Sequence, residues 1–404
     1  MEWLGDVPEH WRISSLKRYG YFKGGAGFPH AYQGNTEENI PFFKVNSLSK
    51  DQRFLSSFSD FVGEETAKKL GAKIFPKNSI FFAKVGAALL LERIRTNQQP
   101  CCIDNNMMGF VIQNELSFDF AFYLMSLIDF KYLVNPGAVP SINESQISSF
   151  LISVPPISEQ TQIANYLDTE TARIDNLISK QEKLIELLEE QRKSIISHAV
   201  TKGLNPNAPM KDSGVEWLGE VPEDWEVKRF GYIFTENKKK NIGLIETNVL
   251  SLSYGNIKEK NIDDNKGLLP ESFETYQIIE PNDIVFRFTD LQNDKRSLRN
   301  AISKYHGIIT SAYIGVKTKE NADFYNYLFR AYDLQKVFYS MGDGMRQSLK
   351  MDELNKMPIV LPKIEAQERI VKFINEENQR INNLVVKQKN LIENFKITYI
   401  EDYL

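Results

Sequence analysis

Two cations and two loops are the residues of this sequence whose types suit contact with phosphates or base edges. Lys84 follows the apolar run Phe81-Phe82-Ala83 and Arg287 follows Val285-Phe286. The two are read as equivalent positions at the ends of equivalent strands, where a cation could reach a phosphate or a guanine edge. The loops are Gly137-Ala138-Val139-Pro140-Ser141-Ile142-Asn143 and Gly344-Met345-Arg346-Gln347-Ser348-Leu349-Lys350. Their Ser141, Asn143, Arg346, Gln347 and Ser348 are polar types that meet base edges and backbone. An ordinary solvated loop carries the same residues, so the argument rests on their recurrence at matching places in two halves of the chain.

Catalytic chemistry finds no comparable support. Phe22-Lys23-Gly24-Gly25-Ala26-Gly27 is glycine-rich but lacks the spacing of a nucleotide-binding loop, and Phe28-Pro29-His30 follows it instead of an amphipathic helix, so it is read as a flexible turn. No Asn-Pro-Pro-Tyr or Asp-Pro-Pro-Tyr tetrapeptide of an amino-methyltransferase occurs, and Glu226-Val227-Lys228 lacks the upstream Pro-Asp of a nuclease motif. The adjacent Cys101-Cys102 and four histidines cannot assemble a disulfide framework or a four-ligand zinc site, and the cysteines are expected as small buried hydrophobes. No catalytic residue, metal or cofactor is therefore assigned to this chain.

The formal charge of −4 argues weakly against nucleic acid as a partner. The acids are concentrated, however: Glu182, Glu186, Glu189 and Glu190 share one segment, which leaves Lys238-Lys239-Lys240 and Lys295-Arg296 with Arg299 to form local basic patches. An apolar content of 42% indicates a folded protein. No signal peptide or membrane span is legible, and a cytoplasmic location is expected.

The elements that must position these residues come twice. Glu2-Trp3-Leu4-Gly5-Asp6-Val7-Pro8-Glu9-His10-Trp11 returns as Glu216-Trp217-Leu218-Gly219-Glu220-Val221-Pro222-Glu223-Asp224-Trp225, and Ile174-Asp175-Asn176-Leu177 returns as Ile381-Asn382-Asn383-Leu384. A repeat of half the chain is too long for a solenoid unit. In each half a stretch of mixed strands and one helix precedes a long heptad-spaced helix. The first long helix carries Leu167, Ile174, Leu177, Gln181, Leu184 and Leu188, with an N-cap expected at Ser158 and a stop at Gly203; the second carries Ile381, Leu384, Gln388 and Leu391. The two helices are expected to pair antiparallel. Gln181 and Gln388 either help set their register or lie at a solvated edge. The fold class is α+β: two similar domains of mixed strand and helix, joined by two long coiled-coil helices in a pseudo-twofold repeat. The expected segments are a first recognition domain over 1–155, a helical spacer over 156–208, a second recognition domain over 209–361 and a distal spacer over 362–404. The frames of the two domains match while their interiors diverge, so a shared scaffold is expected to carry two different surfaces.

The doubled Trp-Leu-Gly-x-Val-Pro-Glu-x-Trp motif, with Pro155-Pro156-Ile157-Ser158-Glu159-Gln160 leading into the first long helix, resembles the DNA-specificity subunits of type I restriction-modification systems. The resemblance implies that each recognition domain reads one half of a split double-stranded DNA target, while the paired helices fix the gap and dock two methyltransferase subunits. It further implies that S-adenosylmethionine, ATP and magnesium belong to partner subunits, with translocase-nuclease subunits joining the full complex. The chain departs from the pattern at Leu361-Pro362-Lys363-Ile364-Glu365-Ala366-Gln367, where an alanine separates Glu365 from Gln367, so a different helix start is expected there. The other reading, a non-catalytic coiled-coil adaptor without DNA contact, leaves the two diverged domains unexplained.

Overall fold

The computed structural model describes residues 5–48, 53–56, 60–134, 139–260, 272–289, 298–341 and 348–403, with side chains for all of these except Ser340 and 396–403. The chain divides into two compact units, Met1–Ser179 with Ile392–Leu404, and Lys180–Leu391. Each contains one domain of mixed strand and helix and a stretch of both long helices.

In the first unit β1 (Arg12–Ser15) leads to β2 (Gly20–Gly24), β3 (Ile80–Ala83), β4 (Arg95–Thr96) and β5 (Met107–Ile112). The helices α1 (Phe118–Ser126) and α2 (Glu144–Ser149) follow, then β6 (Leu151–Val154). The central sheet is antiparallel in the order β2-β5-β3-β4, with Phe22 opposite Phe110 and Ile80 opposite Phe110 from the other side. Every residue of β3 is buried, which is why it reads as an unbroken apolar run and not as an alternating one. Phe22, Phe82 and Phe130 pack around it, with Phe22 stacked on Phe110 at 4.4 Å between centroids.

The second unit repeats the scheme. Here β7 (Glu226–Arg229), β8 (Phe234–Glu236), β9 (Ile284–Phe286), β10 (Asn300–Ile302) and β11 (Ile314–Thr318) precede the helix α4 (Ala322–Leu334), the single turn α5 (Met351–Leu354) and β12 (Pro358–Leu361). Its sheet runs β8-β11-β9-β10, the order found in the first unit. The first frame strand pairs with the last in both units, Arg12 with Val154 and Glu226 with Leu361.

The long helices are α3 (Ile157–Lys202) and α6 (Ile364–Tyr403), 46 and 40 residues. Ser158 lies inside the first turn of α3, so the N-cap expected there is not formed. A buried glutamine organises each start instead. Gln160, 1% exposed, accepts from Ser117 N–H at 2.8 Å and donates to the carbonyls of Glu115 and Pro155 at 2.9 and 3.0 Å. Gln367, fully buried, accepts from Asn321 N–H at 3.0 Å and donates to Pro362 O at 2.9 Å. Ser117 and Asn321 are themselves the N-caps of α1 and α4. One amide thus ties a domain helix to a long helix in each unit, and Ala366, which stands where α3 has Glu159, leaves the start of α6 equivalent to that of α3, against expectation. What Ala366 changes is a side chain: Glu159 accepts from Trp11 Nε1–H at 3.0 Å and lies 2.8 Å from His10 Nε2, whereas the counterpart Trp225 is buried against Phe324.

A second tie joins the recognition domains to the flanks of these helices. Tyr123 O–H donates to Asp168 at 2.6 Å, and Arg53 bridges Asp168 and Asp119. In the other unit Tyr327 O–H donates to Asn375 Oδ1 at 2.8 Å. The second copy of the Trp-Leu-Gly motif has a packing role; Trp3 and Leu4 of the first lie outside the described residues. Leu218 and Trp225 share a cluster with Ala199 and Val200 at the end of α3, where Gly203 takes φ of +77° and Lys202 Nζ donates to Leu218 O at 2.9 Å. A left-handed glycine just past the last turn terminates the helix without steric cost.

Within the second unit the long helices run antiparallel. Ile196, Ala199 and Val200 share a core with Ile370 and Ile374, while Leu188 and Ile185 meet Ile381 and Val385 further along, with Ile195 and Leu384 beside them. Arg192 Nη2 donates to Asn382 Oδ1 at 2.6 Å. Of the predicted seam residues, Ile174, Leu188 and Ile381 are buried, and Leu167, Leu177, Leu384, Gln388 and Leu391 are half-buried. Leu184 is 39% exposed and does not belong to the seam. A straight helix drifts relative to a strict seven-residue repeat, so one seam position turns outward. The register at Arg192 also puts Gln388 level with Glu186 and not with Gln181, so the two glutamines are not each other's partners. Gln181 Oε1 is buried without a hydrogen bond. An orphaned carbonyl of this kind costs about 1–3 kcal/mol. Gln181→Leu is therefore expected to stabilise the chain; a lowered urea midpoint would show that the amide is satisfied in solution.

Both cysteines are buried, as their reading predicts, and burial pushes the Cys102 thiol up to about 12.

Candidate nucleic-acid interface

In the first unit the strand ends and the start of α2 converge on an open cleft of about 770 Å³. Lys84 lies just beyond β3, and its backbone holds the surrounding loops. Its N–H donates to Asn106 O at 2.8 Å, and its carbonyl accepts from Ile142 N–H at 2.9 Å. Ser141 bridges to Val85, and buried Ile142 anchors the loop between them. Lys84 thereby lines one concavity with Ser141 and Asn143, which are distant from it in sequence, and with Asn105, Asn106, Glu144 and Ser145. Asn143 has a structural duty as well: its Oδ1 accepts from Gln146 N–H at 2.9 Å and caps α2.

The electrostatics of the cleft centre on Glu144. Its Oε1 accepts from Gly24 N–H at 2.9 Å and lies 3.4 Å from Lys23 Nζ. A β-carbon on Gly24 would stand 2.7 Å from the Lys84 ammonium, which would have to shift, and in ordinary contact with Glu144 Oε1 at 3.7 Å. On Gly25 a β-carbon would stand 2.1 Å from Asp104 O. The glycine-rich run is therefore not the flexible turn expected of it: Gly24 ends β2, and both glycines permit close approach. Asp104 supports the Asn105-Asn106 turn from within, accepting from Asn106 N–H at 3.0 Å and Val45 N–H at 3.1 Å, while burial pushes its carboxyl above the usual range. The cleft lining thus carries one ammonium, Lys84, and one carboxylate, Glu144, the latter paired with Lys23 beside it, among amide and hydroxyl groups.

The second unit corrects the pairing of Lys84 with Arg287. Asn78 and Asn282 take matching left-handed φ values of 65° and 73°, and Ile80 and Ile284 then open β3 and β9. Counted from there, Arg287 corresponds to Ala83, and the counterpart of Lys84 is Phe288. Side chains alternate along a strand, so a one-residue offset sends Arg287 to the opposite face. Phe288 is 2% exposed and stacks on Phe286 at 5.1 Å, while Arg287 is half-buried with its N–H on Arg299 O at 2.8 Å.

Arg346 and Gln347 lie outside the described residues. Ser348 and Lys350 are exposed, with Leu349 buried between them as Ile142 is between Ser141 and Asn143. Lys350 N–H donates to Glu353 Oε2 at 2.7 Å, the bond that Asn143 N–H makes to Gln146. Beside α5 two adjoining clefts of about 630 and 490 Å³ are lined by Thr235, Glu236, Lys238 and Met351, and by Arg229, Tyr232, Asp352 and Lys356. Where the first unit opens its helix with Glu144, the second opens its own with Met351. Sequence reasoning missed Lys23, Glu144 and the Asn105-Asn106 turn, although the glycine at position 24 was a legible sign that something bulky approaches.

Residues 8–187 match the family model described as the type I restriction modification DNA specificity domain. The chain is 24% identical to a putative type I restriction enzyme MjaX specificity subunit of Methanocaldococcus jannaschii, covering 97% of this chain and 92% of that protein. It is 21% identical to the MjaIX specificity subunit of the same organism over 96% and 91% of the two chains. Among solved structures it resembles the HsdS subunit from Thermoanaerobacter tengcongensis with a TM-score of 0.57 at 14% identity, covering 99% of both chains. It also resembles a chain from a study of complex assembly and conformational transition of the type I R-M system, with a TM-score of 0.64 at 14% identity over 98% and 97%.

Proposed function

We propose how a target is read by this chain, which belongs to the family of type I restriction-modification DNA-specificity subunits. Each unit contacts one half of a bipartite double-stranded DNA target through its cleft, and the two halves differ in sequence. The observation that carries this is one scaffold with two chemistries: Lys84, Asn143 and Glu144 in the first cleft, Thr235, Glu236, Lys238 and Met351 in the second, beside sheets with the same strand order. A lysine that meets a phosphate positions the duplex, whereas amide and carboxylate groups at base edges discriminate sequence. An adaptor without DNA contact gives no reason for such clefts.

The long helices set the separation of the half-sites and dock two methyltransferase subunits. Those subunits bind S-adenosylmethionine and methylate adenine, and ATP- and magnesium-dependent translocase-nuclease subunits join them for cleavage. This chain contributes recognition without catalysis, and it works in the cytoplasm. No helix of the described residues is long and apolar enough to cross a membrane.

The test is a map of methylated adenines in a methylation-free host that expresses the chain with its neighbouring methyltransferase, against the methyltransferase alone. Methylation at one interrupted, asymmetric motif only when this chain is present is expected. Absence of chain-dependent methylation despite a stable complex would overturn the reading. Lys84→Ala is expected to weaken DNA binding by about 10- to 100-fold, and if the contact is to phosphate the loss will be uniform across sequences and the salt slope will fall by about one. Unchanged affinity in a salt titration would remove Lys84 from the interface.

A further inference from the structure

The 241–246 loop of the second unit displays apolar side chains that nothing among the described residues of that unit covers. Ile242 is 72% exposed, Leu244 51% and Ile245 71%. The loop is nevertheless tightly built. Asn241, fully buried, donates from Nδ2 to Glu246 O and accepts at Oδ1 from Glu246 N–H, both at 2.9 Å, and Leu244 N–H donates to Asn241 O at 3.0 Å. Gly243 N–H is held by Glu274 Oε1 at 3.0 Å, and the Glu246 carboxylate accepts from the N–H groups of Thr247 and Asn248. Leu244 takes φ of +56°, a left-handed conformation that costs a leucine about 1–2 kcal/mol. A rigid, strained tip presenting three aliphatic groups to water stabilises nothing within the domain. In the first unit the segment after the corresponding strand behaves differently: Phe28 stacks on Phe42 at 3.9 Å and is partly covered.

Charge and position indicate what covers the tip. Lys238, Lys239 and Lys240, all exposed, lead directly into it, and Lys238 also lines the cleft beside α5. The acids near these lysines are Glu236, 3.4 Å from Lys238, and Glu280, 3.7 Å from Lys239. Such exposed pairs are weak and exchange readily for phosphate. The apolar tip is thus continuous, through three cations, with the surface assigned to the second half-site.

We propose that this tip is a wedge for DNA: the lysines take the backbone phosphates, and Ile242, Leu244 and Ile245 enter a groove and partly unstack one base step. Aliphatic side chains inserted between steps bend duplexes in this way, and pyrimidine–purine steps yield most easily. The wedge rests on the DNA-reading role proposed above and adds a deformation-based element to the second half-site.

The experiment uses the chain assembled with its methyltransferase partner and duplexes carrying the mapped target, with 2-aminopurine placed at successive steps of the second half-site. Wild type is expected to raise the fluorescence severalfold at one step. The variant I242S/L244S/I245S should lose that rise and bind about tenfold or more weakly, and Leu244→Gly, which relieves the backbone strain, should keep the assembly intact while weakening the rise. Selective binding without a fluorescence change at any step overturns the wedge and leaves the DNA reading standing; absence of selective binding by wild type overturns both. Unaltered DNA affinity in the triple variant also overturns it, whether accompanied by a lower melting temperature, which would place the side chains against the chain itself, or by loss of the methyltransferase, which would make the tip a protein contact.

Discussion

Gln160→Leu is expected to destabilise the first unit by at least about 3 kcal/mol. Leucine fills a similar volume, so packing changes little, but Ser117 N–H, Glu115 C=O and Pro155 C=O all lose their partner at a site that is 1% exposed. A buried group left unpaired costs about 1–3 kcal/mol, and here Pro155 C=O is left buried while Ser117 N–H and Glu115 C=O are part-buried. Gln367→Leu should cost less. One of its three partners is the Glu320 carboxylate at 2.8 Å, which is only partly buried and can be rehydrated when the amide is removed. Urea unfolding of the full chain, with hydrogen exchange at α1 and α4 to separate the units, checks both. Equal losses, or no loss at Gln160, would mean that the junction opens to water. The functional consequence follows from geometry: the same amide joins a recognition domain to the helix that must carry it, so Gln160→Leu should blur half-site spacing before it abolishes binding.

Phe286→Ala should cost about 3–5 kcal/mol, the usual range for a fully buried aromatic reduced to a methyl group. Its ring is 0% exposed and sits among Phe329 at 5.0 Å, Phe288 at 5.1 Å, Phe230 at 6.0 Å and Phe338 at 6.3 Å. Three of these neighbours lie on three different helices, Phe230–Ile233, α4 and Val337–Met341, and Phe288 lies just past the end of β9, so the cavity cannot close by moving one side chain. Thermal unfolding should show the second unit melting earlier, and target methylation should disappear as a whole because both half-sites are required. Retention of full methylation with an unchanged melting profile would contradict the assignment of Phe286 to the core that supports the second cleft.

Much of the architecture was legible before any coordinates. The duplication, the two heptad-bearing helices, the apolar strands near Ile80 and Ile284 and the buried cysteines all follow from local periodicity and from comparison of the chain with itself. So did the idea of one scaffold carrying two surfaces. The loop around Ser141 and Asn143 was recognised by residue type, and it does share a cleft with Lys84.

The site itself was decided elsewhere. The pairing of Lys84 with Arg287 failed because strands alternate sides, and a count that slips by one residue picks Arg287 where the true counterpart of Lys84 is the buried Phe288. Glu144 and Gly24 could not be connected by inspection, since they are 120 residues apart and meet through a single hydrogen bond. Leu184 kept perfect seven-residue spacing and still faces solvent, because spacing fixes a helix face only until the helix drifts relative to its partner. Repeats and periodicities are properties of neighbouring residues and are written in the chain, whereas the company a side chain keeps depends on strand register and helix rotation, which only the packed core determines.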